Sequence, residues 1–281
     1  MLQDVIDHLA CPVCRFGLAL AERTVRCPNG HSFDVARQGY VSLLSGPGAA
    51  GTADTPEMVA ARERFLAAGH YAPLADRVAR LAAELTGDAR GLVVDAGAGT
   101  GYLLARVLDA AGPAATGLAL DISKHAIKRA ARAHPRIGAV VADVWRPLPV
   151  RDGRAALVTN AFAPRNGPEF ARVLAPGGAL VVVTPGPGHL GGLVEALGLL
   201  SVDQEKDRRL AASLSRHFTR ISETAEEITL TLDHAAVEAV VRMGPSAHHI
   251  DPATLRRRIA DLPEPYVAPG SFRITVWRPA R

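Results

Sequence analysis

The stretch Leu92-Val-Val-Asp-Ala-Gly-Ala-Gly-Thr-Gly101 decides the fold of this 281-residue chain. Apolar residues running into Asp95 read as a buried parallel strand, and Gly97, Gly99 and Gly101 read as the tight turn that ends it. Glycine suits the turn because the backbone must take conformations that a Cβ forbids and must lie flat against a ligand. A helix expected from about Tyr102 to Ala111 then points its positive end into the same space. The next apolar run, Thr116-Gly-Leu-Ala-Leu-Asp-Ile122, ends in Asp121, twenty residues after Gly101. A carboxylate at that place can accept both hydroxyls of a ribose. A nucleoside-binding α/β sheet is the expectation.

The spacing separates two nucleotide classes. A dinucleotide fingerprint is G-x-G-x-x-G, whereas this chain has G-x-G-x-G behind an acid. Asp95 repels a phosphate but suits a cationic amino-acid end. With Thr100 inside the turn, the combination resembles motif I of class I S-adenosylmethionine (SAM) methyltransferases. Asp143 closes the later strand Ala139-Val-Val-Ala-Asp143, where an acid accepts the adenine amino group in that fold. Ala175-Pro-Gly-Gly178 is the turn that leads into a fifth strand, Ala179 to Thr184. A closing antiparallel pair is expected from strands over Glu226–Leu232 and Phe272–Trp277, with helices over Asp203–Phe218, Asp233–Met243 and Asp251–Asp261 around them.

Composition permits this architecture. At 48% hydrophobic content the chain can bury an α/β core with one small accessory module. No apolar run approaches the roughly eighteen residues of a membrane span, and no secretory signal is visible, so cytosolic residence is expected. Net charge is only +4, and with three lysines arginine carries nearly all the positive charge. That permits a nucleic-acid substrate without requiring one.

Near the start, Cys11-Pro-Val-Cys14 and Cys27-Pro-Asn-Gly-His31 form two corners separated by twelve residues. Three thiolates and an imidazole match the donor preference of tetrahedral zinc, and four protein ligands leave no open position. The zinc is therefore expected to be structural, supplying folding energy to residues too few to form a core. Residues 1–45 read as this module, with Ser32–Leu44 as a strand packing on the knuckle. Residues 46–55, rich in glycine, proline and alanine, read as a flexible linker, and 56–281 as the methyltransferase domain. The module has no net basic charge, so contact with RNA falls to a few placed side chains such as Arg15, Arg26 and Arg37, or the module serves structure or dimerisation.

Beyond the linker, Thr55 caps a helix opened by Pro56, and a second helix is expected from Leu74 to Leu85. Tyr71 between them packs in the core or covers the ligand. The helix after Asp121, capped by Ser123, carries Lys124, Lys128, Arg129 and Arg132 and no acid: a solvated face or a phosphate contact. Asn160-Ala-Phe-Ala-Pro-Arg-Asn166 occupies the loop from which such enzymes reach the methylated atom. Asn160 and Phe162 are the candidates there. Phe162 could stack on a base, with Arg165 or Asn166 at its edge. His189, in Pro185-Gly-Pro-Gly-His189-Leu190, is a further site candidate.

Taken together, the C-x2-C-x12-C-x3-H knuckle, Phe-Asp-Val-Ala-Arg-Gln-Gly-Tyr-Val, Ala-Gly-His-Tyr-Ala-Pro-Leu, the glycine turn and Thr-Pro-Gly-Pro-Gly-His-Leu occur in family order. Over nearly its whole length the chain resembles the bacterial 23S rRNA (guanine-N1)-methyltransferases, most of all their actinomycete macrolide-resistance branch. The resemblance implies methylation of guanine N1 in a hairpin loop beside the peptide exit tunnel, macrolide resistance and a homodimer. By position it implies SAM contacts at Tyr71, Gly99, Thr100 and His189, to which the fold adds Asp95, Gly97, Gly101, Asp121 and Asp143. It implies zinc on Cys11, Cys14, Cys27 and His31. Other readings are a methyltransferase acting on a small molecule such as the macrolide, or a zinc-knuckle RNA-binding protein with SAM as a non-catalytic ligand.

Overall fold

A computed structural model of the chain describes residues 1–44, 53–87, 91–199, 214–244 and 250–280. At its centre lies β5 (Leu92–Ala96), buried at every position because sheet neighbours flank it and helices cover both faces. Its side chains alternate between two cores. Val93 joins Phe65, Leu74, Val78, Leu104 and Ile127 on one face, while Leu92 and Val94 join Leu118, Leu120, Phe170 and Leu180 on the other.

The chain folds outward from β5 in both directions. On one side come α4 (Tyr102–Ala110), β6 (Thr116–Asp121), α5 (Lys124–Ala133) and β7 (Ile137–Val141). The other side holds β8 (Ala155–Ala161), α6 (Gly167–Val173) and β9 (Leu174–Pro185), followed by α7 (Gly191–Leu197). Two long antiparallel strands, β10 (Phe218–Leu232) and β11 (Tyr266–Pro279), complete that edge, with α8 (His234–Arg242) and α9 (Pro252–Ala260) between them. Strand order reverses between β5 and β8, so the carboxyl ends of those two strands form the crevice in which open α/β sheets bind ligands. Both long strands outrun their sequence-expected spans. The first half of β10 is mostly exposed and polar, so only its apolar end gives a strand signal. The helix expected over Asp203–Phe218 falls mostly on residues outside the described ones, and Phe218 itself opens β10.

The N-terminal region differs more from expectation. After α1 (Leu2–Val5), strands β1 (Ala19–Ala21), β2 (Thr24–Arg26) and β3 (Ser32–Asp34) make a small antiparallel sheet. The expected single strand over Ser32–Leu44 is two. Its second part, β4 (Tyr40–Ser42), leaves the small sheet and pairs in parallel with β7, making the outer strand of an eight-stranded sheet ordered β10-β11-β9-β8-β5-β6-β7-β4. Val41 and Leu43 are thereby buried, which three short strands could not do for them. Leu2, Val5, Ile6, Leu9 and Val25 share a core with Leu118, Val140 and Leu148, so the module is built into the body. Most of the expected linker lies outside the described residues; Thr55 at its end caps α2 (Pro56–Ala67), its hydroxyl accepting from Met58 N at 3.3 Å. The second of these helices, α3 (Ala72–Thr86), runs slightly beyond both expected ends.

Candidate functional site

The glycine turn leaves β5 with left-handed backbone at three places: φ is +86° at Gly97, +54° at Gly99 and +79° at Gly101. Space forbids side chains as well. A Cβ on Gly97 would lie 2.2 Å from that of Ala163, and one on Gly101 would meet the backbone of Ala130 at 3.0 Å. The turn is so thin because the loop after β8 and helix α5 press on it from two sides.

Above the turn opens a cleft of about 290 Å³. Asp95, Gly97, Gly99, Thr100, Asp121 and Asp143 all line it, as does Tyr71 from the N-terminus of α3. Asp121 holds the turn. Its two carboxylate oxygens accept from Gly99 N and from Ser123 N, each at 2.8 Å, and each oxygen keeps a second lone pair for a ribose hydroxyl. Burial raises its pKa, and the two backbone donors oppose that rise. Asp95 is fully buried beneath the cleft, and burial pushes its carboxyl up to about 7 although the Thr159 hydroxyl donates to it at 2.8 Å. A carboxyl with one neutral partner and no cation beside it is a ready counter-ion for an ammonium group. Asp143 is fixed at the far end, where its Oδ1 accepts from Trp145 N at 2.9 Å.

The mouth of the cleft is aromatic. Phe162 takes φ +54°, a conformation costly for a bulky residue, and holds its ring half exposed at the mouth. That ring lies 5.9 Å from Phe272 and 6.3 Å from Tyr71, centroid to centroid. His189 does not line the cleft. Its Nε2 meets the Tyr71 hydroxyl at 3.2 Å, its ring packs 4.8 Å from Phe272, and burial lowers its pKa to about 4, so it is neutral at physiological pH. Asn160 is also behind the wall, its amide donating to Ala96 O at 2.8 Å and Pro164 O at 2.9 Å. It shapes the loop and presents nothing to the cleft. The expected edge-readers are likewise committed: Arg165 is buried, and the Asn166 amide donates to Val144 O at 2.8 Å.

Several lining residues carry no sequence signal. Arg62 on α2 pairs with Asp54, donates to Met243 O at 2.8 Å and packs over the turn at Gly99. Trp145 is 61% exposed at the rim beside Asp143. Thr159 can be read in hindsight, because on β8 it lies in register with Asp95.

In the N-terminal module the cysteines and the histidine converge. Nδ1 of His31 lies 3.6 Å from Cys11 Sγ and 3.3 Å from Cys27 Sγ, and Cys14 Sγ lies 3.6 Å from that of Cys27. Zinc bonds of about 2.3 Å to sulfur and about 2.0 Å to nitrogen give tetrahedron edges of roughly 3.5–3.8 Å. The donors are thus already spaced for zinc, with all four within 4.8 Å of one another. Arg15 has φ +66° in the first corner, and its guanidinium donates to Leu148 O at 2.8 Å and Val150 O at 3.2 Å. It fastens the ribbon to the body and is not left for RNA. Arg26 and Arg37 are exposed.

Comparison with known proteins agrees at each end. Residues 9–46 match the N-terminal zinc-ribbon family of RlmA, and residues 93–178 match a methyltransferase domain family. A 23S rRNA (guanine(748)-N(1))-methyltransferase of Streptomyces fradiae is 53% identical, covering 99% of both chains. A Micromonospora griseorubida protein provisionally described as a 23S rRNA (guanine-N1)-methyltransferase is also 53% identical, over 99% of this chain and all of its own. The chain belongs to the 23S rRNA (guanine-N1)-methyltransferase family. A more distant member, from Bacillus subtilis and provisionally given the same activity, is 31% identical over 84% of this chain. A family member of this kind needs a methyl donor and an entry for a base, and the cleft provides a cofactor wall of carboxylates facing an open aromatic mouth.

Proposed function

We propose that this chain methylates N1 of a guanine in a hairpin loop of 23S rRNA beside the peptide exit tunnel, that the methyl group confers macrolide resistance, and that the enzyme works as a homodimer. What carries the reading is end-to-end likeness at 53% identity to the Streptomyces fradiae enzyme, in a chain whose cleft has the charges SAM requires.

When bound, SAM supplies an electrophilic methyl group on a sulfonium. Asp121 holds the ribose hydroxyls on the lone pairs that Gly99 and Ser123 leave free. Asp95 faces the amino-acid end, where an ammonium group draws its carboxyl into the ionised form. Asp143 accepts from the adenine amino group, and Gly97, Gly99, Thr100 and Gly101 give the backbone close approach. Tyr71 closes the cleft from above, oriented by the neutral His189 behind it. The target base is unstacked from its loop and held against Phe162, as single-stranded RNA bases are commonly held by aromatic rings. The protein contributes chiefly position and fixed charge to the transfer. Four ligands close the zinc site, so Cys11, Cys14, Cys27 and His31 shape the ribbon without entering the chemistry.

The test is protein with labelled SAM, offered either protein-free 23S rRNA or a macrolide. Label in rRNA and a new primer-extension stop at one guanine are expected. Label in the drug alone would replace the rRNA reading, and SAM binding without transfer to either would leave a binding protein. Light scattering on the same preparation tests the dimer.

A further inference from the structure

Beside the glycine turn, next to the cofactor cleft, lies a second depression of about 610 Å³. Its walls come from three helices: Glu63, Leu66 and Ala67 on α2, Thr100, Tyr102 and Arg106 at the start of α4, and Lys128, Arg129 and Arg132 on α5. Four cations therefore face one carboxylate. Two are engaged nearby, Arg129 with Glu63 at 2.8 Å and Arg106 with Asp76. Lys128 and Arg132 are exposed and make no ion pair among the described residues. They sit four apart on α5, so they project from one face of that helix. Leu66, Thr100 and Tyr102 line this depression and the cofactor cleft alike, so the two adjoin. The Arg106 guanidinium carbon lies 5.0 Å from the centre of the Tyr102 ring, which lines both spaces.

Such a groove repels other cations, and its two cations without an ion-pair partner, Lys128 and Arg132, stand together on one face of α5. Its charge suits a chain of phosphates running past the cleft. We infer that the groove between α2, α4 and α5 binds the sugar-phosphate backbone of the RNA substrate, with Lys128 and Arg132 as its phosphate contacts and Arg106 and Arg129 as a supporting field. This rests on the rRNA reading for the identity of the polyanion, and the test keeps the two apart.

The full-length, zinc-loaded protein would be compared with K128E/R132E and with the charge-preserving K128R/R132K. Binding of a fluorescent 23S rRNA hairpin is read by anisotropy across monovalent salt, SAM binding by calorimetry, and transfer by label. Each lost phosphate contact lowers the log-log salt slope by about 0.7–0.9. The expected result is RNA affinity reduced about tenfold or more at low salt in K128E/R132E, with a slope lower by about 1.4–1.8. Affinity for SAM stays unchanged, and K128R/R132K binds RNA as wild type. Equal RNA affinity and slope in K128E/R132E would overturn the inference, as would wild-type protein that binds no RNA. If wild type binds the hairpin through these residues but transfers no label, the groove stands and the methylation reading falls.

Discussion

The ribbon and the cleft solve the same problem of order in opposite ways. Four donor atoms brought within 4.8 Å hold the ribbon's two corners together, and of its side chains only a minority, Leu18, Val25, Val41 and Leu43 among them, reach the body's core. The cleft has no such staple. Its turn exists because Ala163, Ala130 and the Asp121 carboxylate converge on it from three separated parts of the chain. One region is fixed by a ligand set, the other by packing, and each should fail in its own way.

The largest effect is expected at the ribbon. Replacing Cys27 with Ala, or stripping zinc with a chelator, removes the folding energy of Cys11–Leu44 and with it the outer strand β4 and the cover over Val140. Zinc content should fall to zero and the melting temperature by ten degrees or more, on the order expected for loss of several kcal/mol in a domain this size. A ribbon that stays folded without metal, shown by retained amide protection of Val41, would make it a packed module after all.

Next in size is the cleft. Asp121→Ala strands the Gly99 and Ser123 donors and removes the ribose acceptor, so SAM affinity should fall about a hundredfold or more while zinc content is untouched. Calorimetry decides, and unchanged affinity would contradict the assignment. Phe162→Ala should lower turnover about tenfold with little change in SAM affinity, since its ring stands at the open mouth. Phe162→Gly should lose the same activity yet melt higher than the Ala variant, because the left-handed backbone then costs nothing.

These two kinds of order also explain what the sequence discloses. The zinc ligands are legible because a tetrahedral ion needs only close spacing along the chain. The strand-turn-helix at Leu92–Gly101 is legible for a similar reason, since glycine spacing and an acid at a strand end are local marks. Asp121 and Asp143 follow from strand ends in the same way. Long-range placement is not local, and there the reading weakens. His189, expected as a SAM contact, and Asn160, a candidate near the methylated atom, both stand behind the cleft wall, at Tyr71 and at the carbonyls of Ala96 and Pro164. Nothing in a one-dimensional pattern tells a lining residue from its support. Arg62, Asp54 and Trp145 are ordinary surface-type residues in the sequence and become cleft walls only once α2 folds over the turn. Arg15 looked available to RNA because its partners, the carbonyls of Leu148 and Val150, lie more than a hundred residues away.

Arg15 therefore tests where the two regions meet. Arg15→Ala removes two hydrogen bonds from a charged donor in an exposed setting, worth together about 1 kcal/mol after solvent screening. Zinc and SAM should bind as before, while amide exchange quickens in the ribbon alone. A matching loss in the cleft would mean that the regions are one cooperative unit.

The smallest effect, and the most diagnostic, belongs to Asp95. Its folded pKa of about 7 stands above the ordinary value of 3.8, because the carboxyl is buried without a cation. Between those values the native state holds a proton that the unfolded chain has released, so this group favours the fold at low pH and loses that contribution as pH rises through about 7. Asp95→Asn removes the titration. The SAM-free variant should melt a few degrees higher than wild type at pH 8, with the difference shrinking steadily as pH falls toward 4. Binding has the opposite sign, for an ammonium group selects the carboxylate. Wild-type affinity for SAM should rise as pH goes from 6 to 8, and the variant should bind weakly at both. If the variant gains stability at high pH and keeps wild-type affinity, Asp95 is a structural acid whose partner is Thr159 alone. If it gains nothing at high pH, the carboxyl is not desolvated, and the electrostatic contrast between its buried site and the ribbon's exposed surface disappears.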